Sequence, residues 1–155
     1  MPTPYNRQYA RTPLPSDISG VNLYPTSIPE FTVVSVDPAP ANQVPLVDGY
    51  SIIPTPTAGG PNPALGVTIQ EAYGTSTSNS GQAEQAQAVP VATQGIVPVV
   101  LDGAVTAGQY VDASTINAGH VKAHTPGKPH LGQALMSGQD QDTIEILLGG
   151  GAPNA

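Results

Sequence analysis

The sequence predicts an all-β fold, a small barrel- or sandwich-like β domain preceded by a long extended proline-rich N-terminal arm. Three observations predict it. First, 13 of the 18 prolines precede residue 64, and proline fixes φ and lacks the N–H that helices and central strands need. Second, charged residues make up 10% of the chain and Trp is absent, while abundant Gly, Val, Thr, Ser and Pro suit strands and turns. Third, short apolar segments alternate with turn signals after residue 88, as in small barrels and sandwiches.

Residues 1–30 are predicted to form the extended arm. Tyrosine and arginine alternate at positions 5, 7, 9 and 11, so an extended backbone places these four side chains on similar sides. Tyrosine suits interface pockets because it is rigid and amphipathic. We therefore expect the arm to grip a partner protein by extended-peptide recognition; a frayed terminus is the alternative. The predicted contact residues are Tyr5, Arg7, Tyr9, Arg11 and Tyr24.

The rest of the chain divides into three further segments. Residues 31–63 are predicted to be a proline-rich connector with short edge strands at 31–36 and 44–53, because prolines flank both. Residues 64–148 are predicted to form the β domain, with an exposed low-complexity loop at 73–87. Residues 149–155 are predicted to be a flexible tail. The strands of the domain are predicted at 65–72, 88–93, 96–101, 109–113, 119–124, 131–136 and 143–148.

The charge distribution limits the partners. The net charge is −7, both arginines precede residue 12, and the segment from Thr12 to Val121 holds eight acids and no Lys or Arg. An acidic body argues against nucleic-acid binding, which needs clustered cations. No apolar run approaches the ~20 residues of a membrane span, and the N-terminus lacks the apolar core of a secretory signal. We therefore expect neither nucleic acid nor a membrane as a partner.

Candidate catalytic and metal-binding groups are sparse. His120 and His124 share one face of a predicted strand, but structural and catalytic zinc sites need three or four protein ligands, so a solvated polar edge is the preferred interpretation. Ser114, His120 and Asp112 supply the residue types of a catalytic triad, yet the chain has no Gly-x-Ser-x-Gly elbow. Turn positions explain these small polar residues more simply.

Two acids and one lysine are the remaining candidates for a catalytic or cofactor-carrying role. Asp140 and Asp142 flank a predicted turn and are expected to be solvated, unlike the positioned acid pair of a glycosidase. Lys122 lies in a hairpin that resembles the turn of a biotinyl or lipoyl carrier domain, but it lacks the flanking methionine-type signature. We expect no catalytic residue, no cofactor and no metal, and therefore no enzyme.

Residues 96–148 carry a resemblance to a known family. An apolar strand is followed by a T-A-G-x-x-V turn, a G-x-V strand, a charged loop, L-G-x-A-L and a closing apolar strand. This order resembles the small β domain of tailed-bacteriophage capsid decoration (cement) proteins. The resemblance covers about a third of the chain and implies no catalytic residue.

The resemblance implies a compact, often trimeric β domain on the outside of the icosahedral shell, with arms that clamp neighbouring major capsid proteins. The expected function is therefore a non-enzymatic decoration protein that bridges major capsid subunits and forms a homo-oligomer, a trimer or alternatively a dimer. The expected location is the capsid exterior of a virion assembled in the host cytoplasm. The alternative is a receptor- or glycan-binding module of a phage tail or fibre, which the shortage of Trp and Tyr after residue 63 disfavours.

Overall fold

The structure is a computed structural model that describes residues 17–24, 26–38, 50–56, 63–72, 88–127 and 130–149. These residues contain ten β-strands and no helix, which confirms the predicted all-β class. It follows that no helix in these ranges is long and apolar enough to cross a bilayer. The strands are β1 (Ile18–Val21), β2 (Val33–Val36), β3 (Tyr50–Pro54), β4 (Ala64–Thr68), β5 (Ala88–Ala92), β6 (Gly95–Val100), β7 (Tyr110–Ala113), β8 (Val121–Ala123), β9 (Gly132–Ala134) and β10 (Thr143–Leu148).

The first five strands close into a barrel in the order β1-β3-β2-β4-β5. Strand β1 closes it by pairing with β3 in parallel and with β5 in antiparallel orientation. Between β4 and β5 the backbones approach closely at Gly66, where an added Cβ would overlap the carbonyl of Ala92. Glycine is therefore needed at this point of the barrel.

The last five strands form a second sheet in the order β6-β10-β9-β7-β8. The longest ladder joins β6 and β10, six residues each. The two outer strands approach each other beyond the end of β6, because Leu101 forms a parallel bridge with Val121 and the amide of Asp102 donates to the Val121 carbonyl at 2.7 Å. This contact brings the opposite ends of the sheet together in a barrel-like curl.

The apolar core is partly shared between the two sheets. One cluster lies within the barrel and includes Val34, Ile52 and Val91. The larger cluster joins Val33 and Val67 of the barrel to side chains of the second sheet. Because burial of apolar area is the main stabilising term in folding, the two sheets stabilise each other. The second-sheet members are Val97, Val99, Leu101, Val105, Val111, Val121, Ala134, Ile144, Ile146 and Leu148.

The structure differs from the prediction in the N-terminal half. The predicted arm at 1–30 contains β1, which belongs to the barrel, and Ile28, which pairs with Ala72 and packs in the barrel's apolar cluster. The strands predicted as edge strands in the 31–63 connector, β2 and β3, each have hydrogen-bonded neighbours on both sides. That part of the prediction was wrong because the prolines near these strands lie at their ends or outside them, where a missing N–H costs little.

The second half agrees with the prediction strand by strand. The observed β5 to β10 each fall within one or two residues of the segments predicted at 88–93, 96–101, 109–113, 119–124, 131–136 and 143–148. The loop predicted at 73–87, most of the arm (1–16) and most of the tail (150–155) lie outside the described residues.

Candidate functional site

The loop between β7 and β8, residues 114–120, is held by several side-chain hydrogen bonds. Ala113 pairs directly with Val121, so seven residues connect strands that a two-residue turn could join. A buried carboxylate, that of Asp102, lies under the loop. We refer to residues 114–120 as the β7–β8 loop.

Asp102 accepts four hydrogen bonds from this loop. Its Oδ1 atom receives the side-chain amide of Asn117 at 2.7 Å and the Nδ1 atom of His120 at 3.2 Å. Its Oδ2 atom receives the backbone N–H of Asn117 at 3.0 Å and the hydroxyl of Ser114. Both oxygens of the buried carboxylate are therefore satisfied, which removes most of the cost of burying the charge.

The hydrogen bonds set the ionisation of Asp102. Burial by itself raises the pKa of this carboxyl group, but the bonds from Ser114 and Asn117, together with the electrostatic attraction of His120, outweigh burial. The pKa of Asp102 is therefore held below its ordinary value. At neutral pH the carboxylate is ionised and accepts all four bonds.

The C-terminal end of the loop is fixed against the barrel at Gly119. The amide of Val33 donates to the Gly119 carbonyl at 2.8 Å, and the amide of Gly119 donates to the Thr55 carbonyl at 3.2 Å. Gly119 has φ +83°, and an added Cβ would overlap the Thr32 side chain. This position therefore needs glycine for both its backbone conformation and its space, and the loop is rigidly placed at the junction of the two sheets.

The triad residues of the sequence analysis do not form a triad. Ser114 and His120 both bond to Asp102, so the carboxylate lies between the hydroxyl and the imidazole. A nucleophile needs the imidazole within hydrogen-bond reach of its hydroxyl. Asp112 instead bonds to His124, with Nδ1 and Oδ1 2.7 Å apart. The observed arrangement serves to hold the loop.

The histidines are less solvated than expected. His120 is partly buried against Asp102, and His124 is partly buried against Asp112. Each aspartate comes from a neighbouring turn or strand, so sequence spacing did not reveal these contacts. The ring of His124 also lies 5.9 Å from that of His130, which packs 4.8 Å from Tyr110. Within the described ranges, no three His, Cys, Asp or Glu side chains are grouped to hold a metal.

Asp142 also differs from expectation. It is buried, and its Oδ2 atom accepts the backbone N–H of Gln139 at 2.8 Å, whereas Asp140 is exposed and accepts the N–H of Gly103 at 2.9 Å. Each acid accepts a backbone N–H group at the turn before β10 or beside it. Their role is that of turn-forming side chains that satisfy backbone donors.

Of the five predicted partner contacts, only Tyr24 belongs to the described residues. It is half-buried, and its hydroxyl donates to Asp37 Oδ2 at 2.7 Å. Tyr5, Arg7, Tyr9 and Arg11 lie outside the described part of the chain. The hydroxyl of Tyr24 is thus engaged within the protein.

Comparison with known proteins identifies the family. A family model described as structural cement protein, with E217 gp24 and Pam3 gp6 as its named examples, matches residues 8–149. The chain belongs to the phage structural cement protein family. It is therefore a structural, capsid-stabilising protein of a phage virion, in agreement with the resemblance of residues 96–148. No curated protein matches the chain.

Solved structures provide a comparison of the fold. The cement protein is similar to the head fiber gp8.5 N base of bacteriophage phi29, with a TM-score of 0.55 and 9% sequence identity. The similarity covers 85% of this chain and 93% of that chain. At this identity the likeness concerns the fold alone.

Sequence reasoning missed the side chain that the β7–β8 loop presents. Ile116 is 74% exposed at the loop tip. The signal was present: the cement protein places an isoleucine among small polar residues, in the segment Ser114-Thr115-Ile116-Asn117-Ala118-Gly119. An apolar residue at such a turn position has no core to enter.

Proposed function

We propose that this protein is a non-enzymatic decoration protein that binds the outside of the assembled capsid and bridges neighbouring major capsid protein subunits. The observation that supports it is the match to the structural cement family over residues 8–149. A protein that bridges subunits stabilises a shell because each contact that forms on the assembled lattice, and not on free subunits, shifts the equilibrium toward the lattice.

The N-terminal segment is proposed to supply part of the contact. Residues 1–16 hold both arginines and no acid, so they can approach an acidic surface that would repel the rest of this acidic chain. The proposed contacts are Tyr5, Arg7, Tyr9, Arg11 and Tyr24. The family match begins at residue 8 and so includes Tyr9 and Arg11.

Homo-oligomerisation is part of the proposal, with a trimer preferred. Several identical chains joined around a symmetry axis convert weak individual contacts into strong attachment, because the second contact forms at a high effective concentration. The proposed partner is the major capsid protein, with no nucleic acid, membrane or cofactor, and the proposed location is the capsid exterior after assembly in the host cytoplasm.

The test is co-sedimentation of the purified chain with phage shells that lack it, after its mass has been measured by light scattering. We expect a symmetric oligomer that saturates the shells at a fixed ratio and delays their disruption by heat. A chain that stays in the supernatant at all concentrations refutes the proposal, and binding to host-cell glycans in its place would support the tail or fibre alternative.

The arm is tested by the double variant Arg7→Gln, Arg11→Gln. The double variant Lys122→Gln, Lys128→Gln removes the same two positive charges elsewhere in the chain and is the matched control. We expect weaker shell binding and a shallower dependence on salt for the arginine variant only. Equal behaviour of the two variants would exclude the arm arginines as contacts.

A further inference from the structure

Ile116 has the highest exposed fraction among the large hydrophobic side chains of the described ranges. Its exposure is 74%, against 59% for Tyr50 and 46% for Leu135. Single exposed apolar residues are common on protein surfaces, so exposure alone does not assign a role. Unlike Tyr50, which lies in the paired strand β3, Ile116 lies at the tip of a loop that side-chain hydrogen bonds hold in place.

The bonds that hold the β7–β8 loop extend to Ile116 itself. Its backbone N–H donates to the Ser114 hydroxyl oxygen at 2.9 Å, and that hydroxyl donates to Asp102. The next residue, Asn117, gives both its backbone and side-chain N–H to the same carboxylate. The backbone at the tip is therefore fixed on both sides of the exposed side chain.

Fixing a loop in this way lowers the entropic cost of binding. A mobile loop must be ordered when a partner engages it, whereas a preorganised loop has already lost that freedom during folding. Rigid apolar side chains that enter a pocket are the residues on which binding most often depends. Joining β7 to β8 requires neither a buried carboxylate nor seven residues. Both features are consistent with a preorganised binding loop.

The chemistry of the tip indicates the kind of partner surface. Residues 113–119 contain no charged side chain, so the contact is apolar with neutral polar groups at its rim. The major capsid protein is the occupant that family membership supports, because the chain belongs to the structural cement protein family. A second copy of the chain is the competing occupant, and the mass measurement below distinguishes the two.

We propose that Ile116 inserts into an apolar pocket on the major capsid protein and is a principal contact of the folded domain with the shell. This inference rests on the proposed function and adds to it a named residue and the chemistry of the surface that receives it. The contact is independent of the basic arm and, lacking charge, is insensitive to salt.

The test compares full-length Ile116→Ser and Ile116→Val with the wild-type chain in the shell co-sedimentation assay. Leu135→Ser is the matched control, since Leu135 is exposed in the turn at the other end of β7. We expect Ile116→Ser to bind at least about tenfold more weakly, Ile116→Val to retain most of the affinity, and Leu135→Ser to bind as wild type. Thermal unfolding should be unchanged in Ile116→Ser, because its side chain lies outside the core.

The outcomes separate the two proposals. If the wild type binds shells and Ile116→Ser binds equally well, the Ile116 contact is refuted while the decoration role stands. If the wild type itself fails to bind, the proposed function fails and the Ile116 contact with it. A smaller light-scattering mass for Ile116→Ser would show that the loop meets a second copy, and this too would overturn the assignment to the capsid protein.

Discussion

Replacing Asp102 with asparagine should destabilise the protein through one identifiable cause. Asparagine keeps the shape of the side chain but converts one of its two oxygens into an N–H donor. Each oxygen of Asp102 accepts two bonds, so two donors of the β7–β8 loop lose their acceptor whichever way the amide turns. The expected result is a loosened loop on an otherwise intact core.

The magnitude follows from the bonds lost. A hydrogen bond to a charged group contributes about 1.5–3 kcal/mol, and the losses are not additive because the Ser114 hydroxyl and the imidazole of His120 can reorient. We expect the free energy of unfolding to fall by about 2–4 kcal/mol. For a chain of this length, 1 kcal/mol of destabilisation lowers the unfolding midpoint by about 2–4 °C, so the midpoint should fall by about 4–16 °C.

The assay is thermal unfolding followed by far-UV circular dichroism, with Asp140→Asn as the control. Asp140 is exposed and accepts the Gly103 N–H, so its substitution should cost less than about 1 kcal/mol. Equal unfolding midpoints for Asp102→Asn and wild type at pH 7 would refute the claim that this carboxylate holds the β7–β8 loop in place.

The pH dependence gives a second measurement of the same bonds. The pKa of Asp102 in the folded protein lies below its ordinary value of 3.8, so the ionised group contributes stability above that value and loses it as pH falls through the folded pKa. The difference in free energy of unfolding between wild type and Asp102→Asn should therefore be present at about pH 5 and shrink below about pH 3.8. If this difference is the same at pH 2 as at pH 7, the hydrogen bonds to the Asp102 carboxylate are not its cause.

Three further substitutions test other parts of the structure by the same unfolding measurement. Gly119→Ala should cost at least about 2 kcal/mol, because it combines φ +83° with overlap of Thr32; an unchanged midpoint would exclude the strain. Ile146→Ala should lower the free energy of unfolding by about 2–5 kcal/mol, because Ile146 is fully buried. Ile116→Ala should lower it by less than about 0.5 kcal/mol. Similar losses for the two variants would contradict the burial of one side chain and the exposure of the other. Ser114→Ala should cost about 1–2 kcal/mol by removing a buried hydroxyl that bonds to Asp102, and a neutral result would count against that bond.

The strands of the second sheet were predicted well because each is recognisable from a few consecutive residues and the turn that follows them. Each of β6 to β10 combines β-branched or apolar side chains with a nearby turn signal, and all but β6 pair with at least one strand close in the chain. Strand β1 was missed for the opposite reason. It is four residues long, includes Gly20, and is specified by β3 and β5, which lie about 30 and 70 residues further along. Such distant pairing leaves no local signature.

The candidate site was predictable only as a turn. Asp102-Gly103 is recognisable in the sequence as a turn dipeptide. The direction of the Asp102 carboxylate toward the β7–β8 loop, however, depends on the bridge between Leu101 and Val121. Similarly, the spacing of His124 and Asp112 gave no sign of their bond, because it arises from antiparallel pairing of β7 with β8. Side-chain bonds across strands require register, which sequence spacing alone does not supply.

The proposed arm and Ile116 contacts differ in physical kind, and this difference yields a final prediction. Contacts by Arg7 and Arg11 are electrostatic and weaken as salt is raised, since the Debye length falls from about 10 Å at 0.1 M to about 3 Å at 1 M. Burial of Ile116 is apolar and persists at high salt. The loss of affinity caused by Ile116→Ser should therefore be the same at low and high salt, whereas the loss caused by Arg7→Gln, Arg11→Gln should shrink. Because the two sites share no partner atoms, the losses should add in the triple variant at low salt; a triple variant no weaker than either parent would mean that arm and loop act on one shared contact.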